Sequence, residues 1–338
     1  MVRIGSKLLP GLACAALIVT PALARAADFY KGKTVTILVG FSPGGGYDAY
    51  ARAVARRIGA HIPGHPNVVV QNLPGAGSLT AVRSLDATQP TDGTVMAMFN
   101  PGLITQSIVE PAKVQFDFSK LAWVGIMTPD FRVCYGFGPK GIKSWSQLMH
   151  GGRLILGSTG KGAADYIDGA TLRDVFHAPV KQVLGFPGSA QQRIAIEQGE
   201  LTGDCGSLSS IPIEWLRDHK AHPFVRFSKQ RPSDMTRKAA FIGSFAKTDD
   251  QKKLLNFLDA ANEVGRSLAM SSKAPAARVA ILRKAFVDTM KDPAFVADMK
   301  KERLPLHPLP AEDAQKSIGA MIKAAPATIA RAKKIFEG

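Results

Sequence analysis

Apolar positions along the chain follow two alternating rhythms. "KTVTILVGF" (33–41) is a near-continuous apolar run rich in β-branched residues, the pattern of a strand buried on both faces. It runs into a glycine-rich turn. After the turn, "DAYARAVARRIGAHI" (48–62) carries its apolar residues at helical spacing. The rhythm then repeats. "NVVVQN" (67–72) reads as a strand, "LPGAGSLTAVRSLDA" (73–87) as a turn and a helix, and "GTVMAMFN" (93–100) as a third strand. Strand, glycine turn and helix in repetition predict a parallel α/β sheet with ligands near the strand C-termini.

The pattern restarts further on. "RVCYGFGP", "RLILGSTG", "VKQVLGF", "LTGDCGS" and "PFVRFS" are strand candidates, with "AADYIDGATLRDVFH" and "AQQRIAIEQG" as helices among them. The last ~90 residues are expected to be mainly helical. No linker of low complexity separates the two halves, so the chain is expected to cross between two α/β lobes more than once.

Composition sharpens this picture. The chain has 338 residues, 46% hydrophobic and 21% charged, which suits a well-cored globular protein. Arg3 and Lys7 flank the start of "LLPGLACAALIVTPALA", and Ala22-Leu23-Ala24 and Ala24-Arg25-Ala26 both offer a small-x-small cleavage pattern. Residues 1–26 therefore read as a secretory signal peptide. The run is broken by Pro10 and Pro21 and falls short of the ~20 apolar residues that a membrane span needs. Gly11 stands where a lipobox before Cys14 would have Leu. The mature protein is expected to be periplasmic, without Cys14.

Cys134 and Cys205 remain, in an oxidising compartment. A bridge between them is open, and two buried free thiols are the expectation. The seven His form no metal-binding spacing with them, so no metal or cofactor is expected. The formal charge is +16, and about +13 once the leader with Arg3, Lys7 and Arg25 is removed. That charge reads as a solvated basic surface. With few aromatics and no recognition motif, nucleic acid is not expected as a partner.

The turn "GFSPGGGYD" (40–48) raises three chemistries. Gly40-x-Ser42-x-Gly44 has the spacing of a hydrolase nucleophile elbow, but the residue after Ser42 is Pro43, which has no N–H for an oxyanion hole. Gly44-x-Gly46-x-x-Ala49 approaches a dinucleotide fingerprint, but the second strand ends in Gln71-Asn72 instead of an acid. "GSTGKGAAD" (157–165) lacks the hydroxyl residue that a P-loop places after its lysine. Anion recognition by backbone N–H groups survives, because glycine turns before helices recur in "SPGGGYD", "NLPGAGS" and "GSTGKGA".

These residues carry a family resemblance. "YKGKTVTILVGFSPGGGYDAYARAVARRIG", "VVVQNLPGAGSLTA" and "PTDGTVMA" resemble the Bug-type receptors, the extracytoplasmic solute-binding components of tripartite tricarboxylate transporters. The likeness runs through nearly all of 28–310 and is looser in the second lobe. There Asp165-Tyr166 stand where a His is frequent, and Phe186-Pro187-Gly188 where Tyr-Lys-Gly is common.

The resemblance implies a type II periplasmic-binding-protein fold. Residues 27–127 with 265–338 would form lobe I and 128–264 lobe II, with crossings near Met127 and "VGRSLAM" (264–270). It implies a monomeric, non-enzymatic receptor for a small organic carboxylate, partnered by membrane permease subunits. A signalling receptor is the alternative that shares this fold; an exported serine hydrolase at Ser42 is the alternative from another class.

The implied ligand contacts are Phe41, Ser42, Pro43, Gly44, Gly45 and Asp48 from the first loop, and Asn72, Gly75, Ala76 and Gly77 from the second. Ser158, Thr159 and Gly160, with Phe186, Gly188 and Ser189, would close from the other lobe. Asp48 reads equally as a helix-start acid and as a ligand contact. Arg52 is expected to pair with Asp48 at i,i+4. Lys161 offers a counter-charge, against the commoner fate of a solvated loop lysine.

Overall fold

The computed structural model describes residues 29–229 and 236–337. The expected signal peptide, with its cleavage sites and Cys14, lies outside the described residues. Among the described residues, no helix is long and apolar enough to cross a membrane.

Among the described residues, eleven strands form two sheets. They are β1 Thr34–Val39, β2 Asn67–Asn72, β3 Val95–Met98, β4 Ala122–Ile126, β5 Arg132–Phe137, β6 Leu154–Ser158, β7 Val180–Leu184, β8 Gly203–Ser207, β9 Ala221–Arg226, β10 Ala240–Phe241 and β11 Ser267–Met270. The first sheet has the order β2-β1-β3-β11-β4 and the second β10-β9-β5-β8-β6-β7. The chain leaves the first sheet after β4 and returns to it at β11.

The longer helices are α1 Gly46–His61, α2 Leu79–Ala87, α3 Gly102–Val109, α4 Ala164–Ala170, α5 Ser189–Glu197, α6 Asp249–Ala260, α7 Ala276–Lys291, α8 Pro293–Lys301, α9 Ala311–Ile322 and α10 Pro326–Glu337. The apolar run of β1 is buried at Val35 and from Ile37 to Val39, because β2 and β3 pair on its two edges and helices cover its faces. α1 and α7 close one face around Tyr50, Val54, Leu282 and Phe286. α2, α3, α9 and α10 close the other around Trp123, Phe99 and Ile318.

Three features depart from the sequence expectation. Parallel pairing holds for β1 with β2 and β3 and for β6 with β7 and β8, but β11 runs antiparallel to β3 and β4, and β5 antiparallel to β8 and β9. Both sheets are therefore mixed, each holding one strand, β11 or β5, that enters from the other lobe and runs against its neighbours. β11 is also a strand inside the stretch expected to be mainly helical.

The third departure is Cys134–Cys205, which forms a disulfide, with Cα atoms 4.0 Å apart. This corrects the expectation of two free thiols. The antiparallel register sets the two residues directly opposite each other on β5 and β8, where side chains on one face touch. A separation of 71 residues hides that register from the sequence.

Core packing also joins the lobes. Tyr166, Ile167 and Ala170 of α4 share a cluster with Leu103 of α3 and Ile335 and Phe336 of α10. α6 precedes the second crossing, yet Leu254, Phe257 and Leu258 pack into the same cluster.

Candidate functional site

The first glycine turn is shaped by steric limits at its base. A Cβ on Gly40 would lie 2.1 Å from the Cβ of Ser78, so only glycine lets the two loops pass. Beyond it, Asp48 accepts hydrogen bonds from the Gly44 N–H (3.0 Å), Arg52 Nε (2.9 Å) and Asn72 Nδ2 (2.9 Å). Asn72 Nδ2 also donates to the Phe41 carbonyl at 2.9 Å. Burial would raise the Asp48 pKa, but these donors outweigh it and hold the carboxyl below its usual range. Asp48 and Asn72 thus brace the turn from behind. Arg52 pairs with Asp48 as the spacing predicted.

That brace fixes the start of α1, a helix of 16 residues whose N-cap, Gly45, offers no side chain to its first-turn N–H groups. Gly45, Gly46 and Tyr47 line a cavity between the lobes. The positive end of the α1 dipole and its unbonded N–H groups therefore face this space. The cavity holds about 50 Å³ of water-accessible volume, room for a few water-sized groups, at about 10–15 Å³ each. A larger groove of about 560 Å³ shares Gly45, Gly46 and Ser210 with it and runs out between residues 208–216 and 301–305.

Of the expected contacts, Phe41, Gly45, Thr159 and Ser189 line the cavity. The others take four kinds of place. Some strap the lobes together: Ser42 N–H donates to the Pro187 carbonyl at 3.0 Å, its hydroxyl to Gln191 Oε1 at 2.7 Å, and Arg193 Nη2 to the Gly44 carbonyl at 2.8 Å. Gly188 lies against Ser42, where a Cβ would come within 2.6 Å of Oγ.

The second glycine turn is a strap as well. Gly77 N–H donates to the Thr159 carbonyl at 3.1 Å, and Gly160 packs on Gly77 so closely that a Cβ would meet its nitrogen at 2.7 Å. Gly75, Ala76 and Gly77 all hold positive φ, which bends the turn toward the other lobe. Asp48 and Asn72 are the brace already described, and Ser158 and Phe186 are internal to lobe II. Ser158 Oγ accepts from Gln182 Nε2 at 3.1 Å, and Phe186 packs with the cluster around Leu201 and Trp215. Pro43 is exposed. Lys161 Nζ reaches the Phe336 carbonyl at 3.4 Å, a contact with α10.

Sequence reasoning missed the charged wall of the cavity. Arg132, Asp165, Asp204 and Arg266 all line it, and all are buried. Arg132, at the start of β5, is fully committed: Nε pairs with Asp168 at 2.5 Å, Nη1 with Asp130 at 3.1 Å, and Nη2 donates to the Cys205 carbonyl at 3.2 Å. Asp165 is committed too. It accepts from the Thr159 N–H at 2.9 Å, Thr159 Oγ1 at 3.3 Å, Gln192 Nε2 at 3.0 Å and the Tyr166 N–H at 2.8 Å.

Arg266 sits on the returning crossing, where its backbone pairs with Met127 and Thr128 of the outgoing one. Its guanidinium lies 3.7 Å from the Tyr47 ring centroid, donates from Nη2 to Ser209 Oγ at 3.1 Å and stands 3.6 Å from Asp130. Among the described residues, Nε and Nη1 of Arg266 and Oδ1 of Asp204 find no hydrogen-bond partner. The Asp130 carboxyl is held below its usual range, because Arg266 and Arg132 outweigh the effect of burial. Burial lifts Asp168 to about 7 despite Arg132. Burial, with Asp165 nearby, lifts Asp204 to about 8. A legible signal existed: Arg132, Asp204 and Arg266 are charges inside runs that otherwise read as buried strands.

No protein-family profile matches the chain. A UPF0065 protein of Agrobacterium vitis, from the TAR-I ttuE-ttuC' intergenic region, is 24% identical over 218 residues, covering 63% of this chain and 62% of that protein. A second UPF0065 protein, from the tcbD-tcbE intergenic region of Pseudomonas sp. (strain P51), is 30% identical over 105 residues, 31% of this chain and 30% of that one. The chain thus spans less than two thirds of either relative.

Among solved structures, periplasmic binding protein BugD superposes with a TM-score of 0.74 at 17% identity, covering 90% of this chain and 98% of BugD. R. palustris Rpa4515 with adipate gives 0.70 at 17% identity over 90% and 98%. MatC from Rhodopseudomonas palustris with bound malate gives 0.68 at 17% identity over 90% and 99%. The fold is therefore that of the periplasmic binding proteins. The relatives and neighbours together support the resemblance to Bug-type receptors carried by the glycine turns.

Proposed function

We propose that this chain is an extracytoplasmic receptor of Bug type. It captures a small organic carboxylate in the periplasm and delivers it to the permease subunits of a tripartite tricarboxylate transporter, after loss of a leader at 1–26. It works as a monomer and binds without catalysis. The observation that carries the reading is the cavity at the junction of the lobes, where the uncapped start of α1 and the half-partnered guanidinium of Arg266 converge. Both favour an anion. The likeness to folds solved with adipate and malate agrees with that chemistry.

The hydrolase alternative finds no support in the geometry. The Ser42 hydroxyl donates to a glutamine oxygen, which cannot take its proton as a general base. A thermal-shift screen of the mature protein against mono-, di- and tricarboxylates tests the proposal. A ligand at 100 times its Kd stabilises by about 2.7 kcal/mol. A screen in which no carboxylate raises the Tm would overturn it.

A further inference from the structure

Four ionisable side chains line the cavity, and they divide into two kinds. Arg132 and Asp165 have every polar atom engaged by the protein. Arg266 and Asp204 do not: two nitrogens of one and an oxygen of the other are buried without a partner. A buried donor or acceptor left unpaired costs the folded chain about 1–3 kcal/mol, more for a charged group. Each such atom calls for an explanation, and a ligand that completes it is one. One is a cationic donor and the other a carboxyl oxygen that accepts, so they call for different ends of one molecule.

We propose that Arg266 and Asp204 form a two-pole subsite, which takes a ligand carrying both a carboxylate and a protonated amine. The carboxylate lies toward Arg266 and the first turn of α1, and the ammonium toward Asp204. This deepens the proposed function and rests on it.

Local charge favours an ammonium over a neutral donor such as a hydroxyl. Asp130, Asp165, Asp168 and Asp204 lie buried in and around this wall, with only Arg132 and Arg266 buried among them. Neither arginine pairs with Asp204, since Arg132 is paired with Asp130 and Asp168 and Arg266 stands beside Asp130, so an ammonium supplies a counter-charge there that a hydroxyl does not. The groups that face Asp204 are Asp165 and Asp168 from α4, Arg132 and Tyr135 from β5, and Arg193 from α5. Burial keeps Asp204 protonated at neutral pH. An ammonium beside it favours the carboxylate form, so ligand binding expels a proton to solvent.

The test uses matched acids that differ in one group: succinate, malate and aspartate; glutarate, 2-hydroxyglutarate and glutamate; butyrate, 2-aminobutyrate and 4-aminobutyrate. Calorimetric titration of the wild-type mature protein at pH 7, in phosphate and in Tris, reads affinity and proton release together. In at least one series the amino acid is expected to bind about tenfold or more tighter than its bare and hydroxy partners. The apparent enthalpy should differ between the buffers by the amount that proton release requires. Asp204→Asn, checked by circular dichroism, should bring the amino and bare acids within about threefold of each other.

Bare or hydroxy acids that bind as tightly as the amino acids, in buffers that agree in enthalpy, overturn the inference and leave the carboxylate receptor standing. Failure of all nine acids overturns the inference, and the wider carboxylate screen decides the reading beneath it. If Asp204→Asn does not fold, the wild-type preference and the buffer comparison decide alone.

Discussion

Two glycine turns follow neighbouring parallel strands, β1 and β2, and look alike in sequence. Their roles in the tertiary structure diverge. The turn at 43–46 ends in a long helix whose uncapped first residues line the cavity. The turn at 75–77 adopts positive φ at all three residues and seals against residues 159–163 of the other lobe. The difference lies in what stands behind each turn. Asp48 and Asn72 brace the first from its rear and leave its front N–H groups open. The second spends its Gly77 N–H on the Thr159 carbonyl. A glycine turn before a helix thus identifies a backbone free to approach something; whether that is a ligand or another loop is set by the opposite wall.

The largest expected effect removes the charge that backs the first turn. Arg266→Ala leaves Asp130 with Arg132 as its remaining cationic partner, and breaking a buried pair costs about 3–5 kcal/mol. Denaturant unfolding should show that loss, with ligand affinity lost alongside. Gly45→Val attacks the first turn itself. Its Cβ would meet Ser189 Oγ at 2.9 Å at the cavity edge, while its φ of −88° suits any residue. Affinity should fall about a hundredfold, close to 2.7 kcal/mol, with little change in unliganded Tm. A normal affinity would remove the backbone of this turn from the ligand site.

Gly77→Val should behave in the opposite way. Its φ of +62° is left-handed, and its Cβ would lie 2.9 Å from that of Ala163. Stability should drop by about 1–3 kcal/mol, and affinity should weaken only through poorer closure. Calorimetry and thermal unfolding of the same two variants compare the turns directly.

The charged wall should also make stability depend on pH. Asp168 and Asp204 have folded-state pKa values raised to about 7 and about 8, well above those of an unfolded chain. Their contribution is fully present below about pH 4 and is lost as pH rises through 7 to 8. Unliganded Tm should therefore fall between pH 5.5 and 8.5, by about 2–4 °C per kcal/mol. Asp204→Asn should flatten that slope. The smallest effect is expected from Lys161→Ala. Its ammonium contacts the Phe336 carbonyl of α10, so affinity should stay within about twofold.

Much of this molecule was legible in the sequence because its signals are local. Periodicity located β1, α1, β2, α2 and β3, since an apolar face must repeat with the geometry of its own element. Pro43 by itself speaks against an oxyanion hole, because a missing N–H is a property of one residue. The Asp48–Arg52 pair followed from helical spacing alone. Tertiary structure decided what depends on partners distant in the chain. It set Cys134 opposite Cys205 through strand register, brought α6 and α4 into the same core cluster as α3 and α10, and reversed β5 and β11 against their neighbours. It also decided which turn faces the cavity. Above all, it left Arg266 and Asp204 half-partnered in one cavity while engaging Arg132 and Asp165 in full. Sequence specifies which groups carry charge; only the packing of distant segments determines how many of their hydrogen bonds the protein itself completes.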